Sequence, residues 1–412
     1  MQIVIIGNGA AGNAACAAIR GTNAETKITL ISDESFPFYS PCVFPMYLSG
    51  EVERQRVFLR EVDDATRVTK ILGKKVLKID VKNQKVLLED EELKYDSLII
   101  ASGSKPIIPK IEGIDKLGVF CLKTIEDVDR ILAYGGKRVA VIGSGPIGVE
   151  AAIALRKRGL QVSIIELMDR ILPRLFDKKP SNIIEGIIRE NGIKIFTDEK
   201  VVQILGSERV RGIETDTREI KCDVAIVAVG MRPRAELAKS AKIKIGGLGG
   251  ILTDERMRTS VENVYSCGDC VESYDIILGK NTLNLIWPNA VLQGEIAGLN
   301  CLGVNKRYRG FTNVVCIDIF GARAVSLGHP VVLVDEKDGL EEIERAYGKI
   351  YYKIILKDGN IMGVQSIGEI KDIGVMFNAM GKRIKLQEIK KILGKREFVY
   401  TSPWLAKLKR YV

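Results

Sequence analysis

Two stretches of this chain carry the same order of residues. Ile3-Val4-Ile5-Ile6 runs into Gly7-Asn8-Gly9-Ala10-Ala11-Gly12, and Val139-Ala140-Val141-Ile142 runs into Gly143-Ser144-Gly145-Pro146-Ile147-Gly148. Each is followed by Ala-rich helical sequence. One GxGxxG is weak evidence, because glycines collect in many turns. An apolar strand, the Gly loop and a helix in that order is far more restrictive. Gly7 and Gly143 suit the tight turn, Gly9 and Gly145 the approach of backbone amides to a pyrophosphate, and Gly12 and Gly148 the packing of helix on strand. The helix N-terminus then stabilises the negative charge. Two such units predict two dinucleotide sites, and two dinucleotides in one protein suggest electrons passing between them.

The 412 residues allow two or three domains, and 46% hydrophobic with only 6% aromatic residues fits an aliphatic α/β protein. No run of about 20 uncharged apolar residues is present, so no membrane span is expected. The first Gly loop begins at residue 7 and leaves no room for a leader, so a cytoplasmic location is expected. The net charge of +10 is spread along the chain, as in Lys74, Lys75, Lys78, Lys82 and Lys85, and reads as a solvated surface. No nucleic-acid motif accompanies it. Eight cysteines without framework spacing indicate a reduced compartment, and the single His329 excludes a His-based metal site. No metal is expected.

Further strands are predicted at 28–31, 98–103, 162–166, 224–230 and 350–355. Pro106 and Pro109 mark a linker, Arg232-Pro233 ends the second βαβ unit, and Gly246–Gly250 is a further boundary. A helix is expected through residues 293–297. Glu166 ends the strand after the second Gly loop, where a carboxylate accepts hydrogen bonds from a ribose diol and repels a 2′-phosphate. NADH is therefore favoured over NADPH, although Arg170 nearby keeps NADPH within reach. Asp269, after Gly268, suits a polyol hydroxyl of a flavin chain. Cys267 and Cys270 flank it as CxxC and read as packing residues.

The segment 36–47, Phe-Pro-Phe-Tyr-Ser-Pro-Cys-Val-Phe-Pro-Met-Tyr, places Cys42 between Pro41 and a helix start at Pro45. A helix N-terminus there is expected to stabilise a Cys42 thiolate. The partner position of a CxxxxC redox disulfide holds Tyr47. Redox work by Cys42 would therefore run through a mixed disulfide, a persulfide or a sulfenic acid.

Together these residues resemble the pyridine nucleotide-disulfide oxidoreductase flavoproteins. The single Cys42 is similar to the branch of coenzyme A-disulfide reductases, NADH oxidases and NADH peroxidases. The resemblance implies an α/β fold with two Rossmann-like nucleotide-binding domains, for FAD and NAD, plus a C-terminal α+β dimerisation domain. The implied boundaries are 1–111 and 245–307 for FAD, 112–244 for NAD(P)H, and 308–412 for the interface domain. It implies FAD at Gly7, Gly9, Ala10, Gly12, Asp33, Ser102, Gly103 and Asp269, and NADH at Gly143, Gly145, Ile147, Gly148, Glu166 and Gly230. Phe398-Val399-Tyr400 and Pro403 are similar to the C-terminal segment of the coenzyme A-disulfide reductases, which would bring Tyr400 to a partner subunit's site in a homodimer. The polar residues that hold coenzyme A in those enzymes match Ala14, Ala18, Gly21, Phe38 and Pro41 here, with only Lys70 remaining. The usual ribose acid aligns with Ser32, so Asp33 beside it takes that role. The expected activity is an NADH-dependent flavoprotein reductase acting through Cys42 on a disulfide or polysulfide. The alternatives are reduction of a carrier protein such as rubredoxin or ferredoxin, service as the NADH-reactive subunit of a larger complex, and NADH oxidation by oxygen.

Overall fold

The structure, a computed structural model, describes residues 1–59, 68–330, 339–368 and 373–388. Its α-helices are α1 (Ala10–Thr22), α2 (Phe44–Ser49), α3 (Ile125–Tyr134), α4 (Pro146–Lys157), α5 (Lys178–Glu190), α6 (Glu236–Ser240), α7 (Trp287–Cys301) and α8 (Ile373–Gly381). No helix among the described residues is long and apolar enough to cross a membrane. The chain divides into two compact units, Met1–Asp169 with Gly192–Phe311, and Arg170–Asn191 with Thr312–Val412.

The first unit holds two parallel sheets. One orders its strands as Val264–Ser266, Ser97–Ile100, Gln2–Ile6, Lys27–Ser32 and Val68–Leu72. The other orders them as Lys194–Phe196, Gln161–Ile165, Arg138–Ile142, Val224–Val227 and Val119–Phe120. Parallel sheets are covered on both faces, so their strands read as unbroken apolar runs. Val4, Ile5, Val141 and Ile164 are accordingly buried. The two centres share a register: Ile6 pairs with Ile31 and Ile142 with Ile165, and each Gly loop leaves its sheet at that level.

Helix α1 crosses α7 at very short range. A Cβ on Gly294 would stand 2.1 Å from the Ala11 carbonyl oxygen, and one on Gly298 would stand 2.5 Å from that of Ala15. Only glycine permits this approach, which seals one face of the first sheet with Ile3, Ile5, Ile19 and Ile296.

The second unit is built on an antiparallel sheet in the order Val314–Ile319, Ala322–Gly328, Asn360–Ile367, Ile350–Lys357 and Leu340–Tyr347. Residues 170–191 group with it, whereas the expectation kept them in a nucleotide domain over 112–244. A polar cluster joins the segment to the sheet. Asp177 accepts from Lys353 Nζ at 2.8 Å and from Gln365 Nε2 at 2.9 Å, and Ser326 Oγ donates to the Leu175 carbonyl at 2.8 Å. Ile184, Ile187 and Ile188 of α5 are buried.

Candidate functional site

The two Gly loops have the same geometry in detail. Gly7 N–H donates to the Ile31 carbonyl at 2.8 Å, and Gly143 N–H to that of Ile165 at 2.8 Å. Both glycines have φ in the left-handed region, +122° and +99°. A Cβ on Gly12 would meet the Gly7 oxygen at 2.0 Å, and one on Gly148 would meet the Gly143 oxygen at 2.1 Å. By contrast Gly9 and Gly145 face open space, with nothing within 4 Å of a Cβ. Helices α1 and α4 begin there without a side-chain cap and without an acidic residue in the first turn. Orphan amides at an uncapped helix start, beside an open middle glycine, fit a pyrophosphate. Ala10 and Ile147 stand in those first turns.

After the second loop, Glu166 is buried and fully engaged. Its Oε2 accepts from Ser144 N–H at 2.8 Å and Ser144 Oγ at 2.6 Å, while Oε1 accepts from Met168 N–H at 2.8 Å. Three donors on one carboxylate fix it beside the loop, in a position suited to a ribose diol. Arg170 donates to the carbonyls of Pro173 and Phe176. Gly230 has φ +128° and its carbonyl accepts from Ile107 N–H at 2.9 Å.

Around the first loop, Ser102 Oγ donates to the Arg234 carbonyl at 2.6 Å, and Arg234 N–H donates to the Gly103 carbonyl at 2.9 Å. The Arg234 guanidinium pairs with Asp33 at 2.5 Å. Asp33 is thus held in place by a residue 201 positions away. Its neighbour Glu34 accepts from the Tyr39 hydroxyl, and burial pushes the Glu34 carboxyl up. Asp269 accepts from Ser104 Oγ at 2.7 Å, with Lys123 Nζ at 3.7 Å. The α3 capping box sets Lys123, because Asp127 accepts from the backbone N–H groups of Lys123 and Thr124. Neither Lys123 nor Arg234 was singled out in the sequence. Their roles arise from long-range contacts that no local pattern marks. Cys267 and Cys270 are completely buried, as packing residues are. No metal-binding group of His, Cys, Asp or Glu occurs among the described residues.

Cys42 is exposed and lies in a short 3-10 turn, Pro41–Val43, ahead of α2. The expected thiolate stabilisation is not found. Partial desolvation pushes the thiol up, a hydrogen bond with Ser40 pulls it down, and the carboxylates of Glu150 and Asp269 push it up further. A helix of six residues is too short for its dipole to outweigh these effects. Aromatic rings surround the segment. Phe38 stacks on Trp287 with centroids 5.8 Å apart, and Tyr39 packs on Phe44 at 5.6 Å. Tyr47, at the position of a second redox cysteine, donates to Asp129 at 2.7 Å, which also holds Arg54. Tyr400 lies outside the described residues.

Helix α2 packs on α4 as well as α3. Arg158 Nε donates to the Leu48 carbonyl at 2.8 Å and Lys157 pairs with Glu51 at 2.8 Å. Glu150, in the second turn of α4, is pushed up to about 7 by burial. The signal that could have found it is a lone carboxylate in the apolar stretch Ile147-Gly148-Val149-Glu150-Ala151-Ala152-Ile153.

Residues 1–294 match the family described as pyridine nucleotide-disulphide oxidoreductase. The chain is 34% identical to an NADH oxidase of Methanocaldococcus jannaschii, over 98% of this chain and 95% of that protein. It is also 34% identical to a CoA-dependent NAD(P)H sulfur oxidoreductase of Pyrococcus furiosus, over 75% of this chain and 72% of that one. The solved structure of a NAD-dependent persulfide reductase from A. fulgidus superposes with a TM-score of 0.90 at 30% identity, covering 98% of this chain and 80% of that one.

Proposed function

The chain belongs to the pyridine nucleotide-disulphide oxidoreductases, and from that premise we propose that it is an NADH-dependent FAD reductase of a small sulfur substrate, a disulfide or polysulfide, acting through Cys42. One observation carries the reading: an exposed thiol sits in the turn that leads into α2, and α2 is bound to α4, the helix whose N-terminus follows the second dinucleotide loop. Relatives named for sulfur and persulfide reduction support it.

The residues present fit both dinucleotides. The α1 amides with Gly9 would hold the pyrophosphate of FAD, Asp33 its ribose and Asp269 its polyol chain. The α4 amides with Gly145 would hold the pyrophosphate of NADH, and Glu166 its adenosine ribose. Bound FAD supplies a two-electron relay between nicotinamide and sulfur. Cys42, as thiolate, attacks one sulfur of the substrate RS–SR, forming a Cys42–S–SR bond and releasing RS⁻. Two electrons then cleave that bond, returning the Cys42 thiolate and a second RS⁻. With protons taken up, NADH, H⁺ and RSSR yield NAD⁺ and two RSH. Ser40 orients the thiol by its hydrogen bond.

Phe38 and Pro41, where polar coenzyme A contacts are expected, offer apolar surface instead, and Phe38 stacks on Trp287. Such a surface favours a substrate without a phosphorylated handle, because buried polar groups left unpaired cost binding. Polysulfide and small organic disulfides fit this better than coenzyme A disulfide. The same loss of contacts favours the second reading, a carrier protein as electron acceptor. We further place the protein in the cytoplasm as a homodimer, with Tyr400 serving the partner's site.

The test is Cys42→Ser assayed with NADH and two acceptors, polysulfide and an artificial dye. Loss of polysulfide reduction by at least about 100-fold, with dye reduction kept, supports the reading. Full-rate polysulfide reduction by the variant overturns it and turns attention to carrier proteins.

A further inference from the structure

One carboxylate on α3 ties down the segment that carries Cys42 at two places. Asp129 accepts from the Tyr47 hydroxyl at 2.7 Å. It also accepts from Arg54, whose Nε donates to Oδ1 at 3.1 Å and whose Nη2 donates to Oδ2 at 2.9 Å, a two-pronged pairing that fixes direction as well as distance. Tyr47 lies on α2 and Arg54 on the 3-10 turn Arg54–Val57 beyond it, whereas Asp129 is 82 and 75 positions away. The same guanidinium lies over two rings, its carbon 5.3 Å from the Phe36 centroid and 5.4 Å from that of Phe58. Among the described residues Tyr47 and Arg54 are the partners of Asp129, and no nucleotide loop takes part.

These two ties reach the thiol by separate routes. Along the chain, Tyr47 sits on α2, which follows the Pro41–Val43 turn directly. Across the chain, the turn of Arg54 runs into a stretch that pairs with the residues ahead of Cys42. Ser40 N–H donates to the Val57 carbonyl at 3.0 Å, Leu59 N–H donates to the Phe38 carbonyl at 2.9 Å, and Tyr39 and Phe58 form an antiparallel bridge. Val43 N–H then donates to the Ser40 carbonyl at 3.2 Å and closes the turn around the thiol. Neither a turn of three residues nor a helix of six without a side-chain cap holds its own geometry in water. The place of Cys42 is therefore set by what grips its segment. On the α4 side, Arg158 and Lys157 grip the far end of α2; on the α3 side, Asp129 grips both Tyr47 and Arg54.

We propose that Asp129 is a positioning residue for the Cys42 sulfur: by holding Tyr47 and Arg54 on one carboxylate it sets where the thiol stands for attack on the sulfur substrate. The inference rests on the reading of Cys42 as the nucleophile. At the place where a CxxxxC pair would put a second sulfur, the chain puts a tether instead. The ion pair is partly open to solvent, with side-chain exposures of 36% for Arg54 and 30% for Asp129, so its share of global stability is small. A displacement of about 1 Å at a reacting atom costs up to about 100-fold in rate. The clamp is therefore worth more to turnover than to folding, and the two are measured separately.

The test is Asp129→Asn in the flavin-loaded protein, which keeps the shape and removes the charge. The polysulfide kcat should fall by about 30-fold. The KM for NADH and the rate of dye reduction by NADH should stay within about two-fold of the parent, and Tm within about 3 °C. Arg54→Met should give the same pattern, and adding it to Asp129→Asn should cost little more, because both cut one contact. A polysulfide kcat within about two-fold of the parent overturns the proposal. So does an equal fall in dye reduction, which marks a general loss of structure, and so does a double variant whose losses multiply. If Asp129→Asn does not fold, Tyr47→Phe decides: it removes one hydroxyl, and the polysulfide kcat should fall by about three-fold at an unchanged dye rate, an unchanged kcat overturning the proposal. Full polysulfide turnover by Cys42→Ser would instead refute the nucleophile. Loss in Cys42→Ser without loss in Asp129→Asn refutes the clamp alone.

Discussion

Replacing Glu166 by Gln tests whether one buried carboxylate sets the choice of nucleotide. In the folded chain Glu166 accepts three hydrogen bonds, from Ser144 N–H, Ser144 Oγ and Met168 N–H. A carboxylate and a phosphate charge about 5 Å apart interact by about 3 kcal/mol at an effective dielectric of 20. Screening by salt leaves about 2 kcal/mol, or about 30-fold in relative affinity. The Gln variant keeps the shape and removes that repulsion, so its NADH-over-NADPH ratio of kcat/KM should fall by about 30-fold. It should also lose stability. One side-chain oxygen becomes an NH₂ donor, which leaves a buried donor such as the Met168 N–H unpaired at a cost of about 1–3 kcal/mol. The Tm should therefore fall by a few degrees. Steady-state kinetics with each nucleotide and thermal unfolding read the two effects separately. A ratio within two-fold of the parent, together with a lowered Tm, would show that Glu166 only braces the loop and that the nucleotide preference arises elsewhere.

Gly294→Ala would put a Cβ 2.1 Å from the Ala11 carbonyl, a backbone clash that neither helix can relieve by a rotamer change. It should cost about 3 kcal/mol or more, read by urea unfolding, and should lower the retention of FAD because α1 is displaced. Lys353→Ala would strand Asp177 and Glu342 without their shared cation; with the Lys353 side chain only 7% exposed, the loss should be about 3–5 kcal/mol in the unit that contains it. Glu150 predicts a pH dependence of stability. Its folded proton affinity, at about 7, stands above the ordinary value of 4.5, so the folded chain binds the extra proton between them. That contribution is fully present below about pH 4.5 and is lost as pH rises through about 7, amounting to at most about 3 kcal/mol. Unfolding measured across this range should show a decline that Glu150→Gln lacks.

What could be read from the sequence was what backbone geometry alone demands. The twin loops were legible because a tight turn, an open middle and a close helix–strand contact each require glycine at a set spacing. The apolar runs ahead of them were legible because a parallel sheet buries both faces of its strands. Glu166 was expected to end such a strand, whereas the strand ends at Ile165 and Glu166 follows it. The pairings that fix the site's outer residues were not legible. Arg234 holds Asp33 across 201 positions, and Lys353 holds Asp177 across 176, and in neither case does a local pattern point to the partner. The α5 segment was assigned by chain order, whereas it joins the antiparallel sheet through contacts such as Lys353 with Asp177 and Ser326 with Leu175. The Cys42 thiol was misjudged for an energetic reason: a helix start was recognised, but the opposing burial and the two facing carboxylates are visible only in three dimensions.

The most direct test of the account is an anaerobic NADH titration of the FAD-loaded protein after treatment with polysulfide and removal of the excess. Flavin absorbance gives the end point. Cys42 carrying a sulfur adduct holds two electrons' worth of oxidation beside the flavin, so the account predicts about two NADH per flavin before bleaching is complete. It also predicts about one in Cys42→Ser. One NADH per flavin in the parent protein would mean that Cys42 stores no oxidising equivalent, and the sulfur pathway through it would be contradicted.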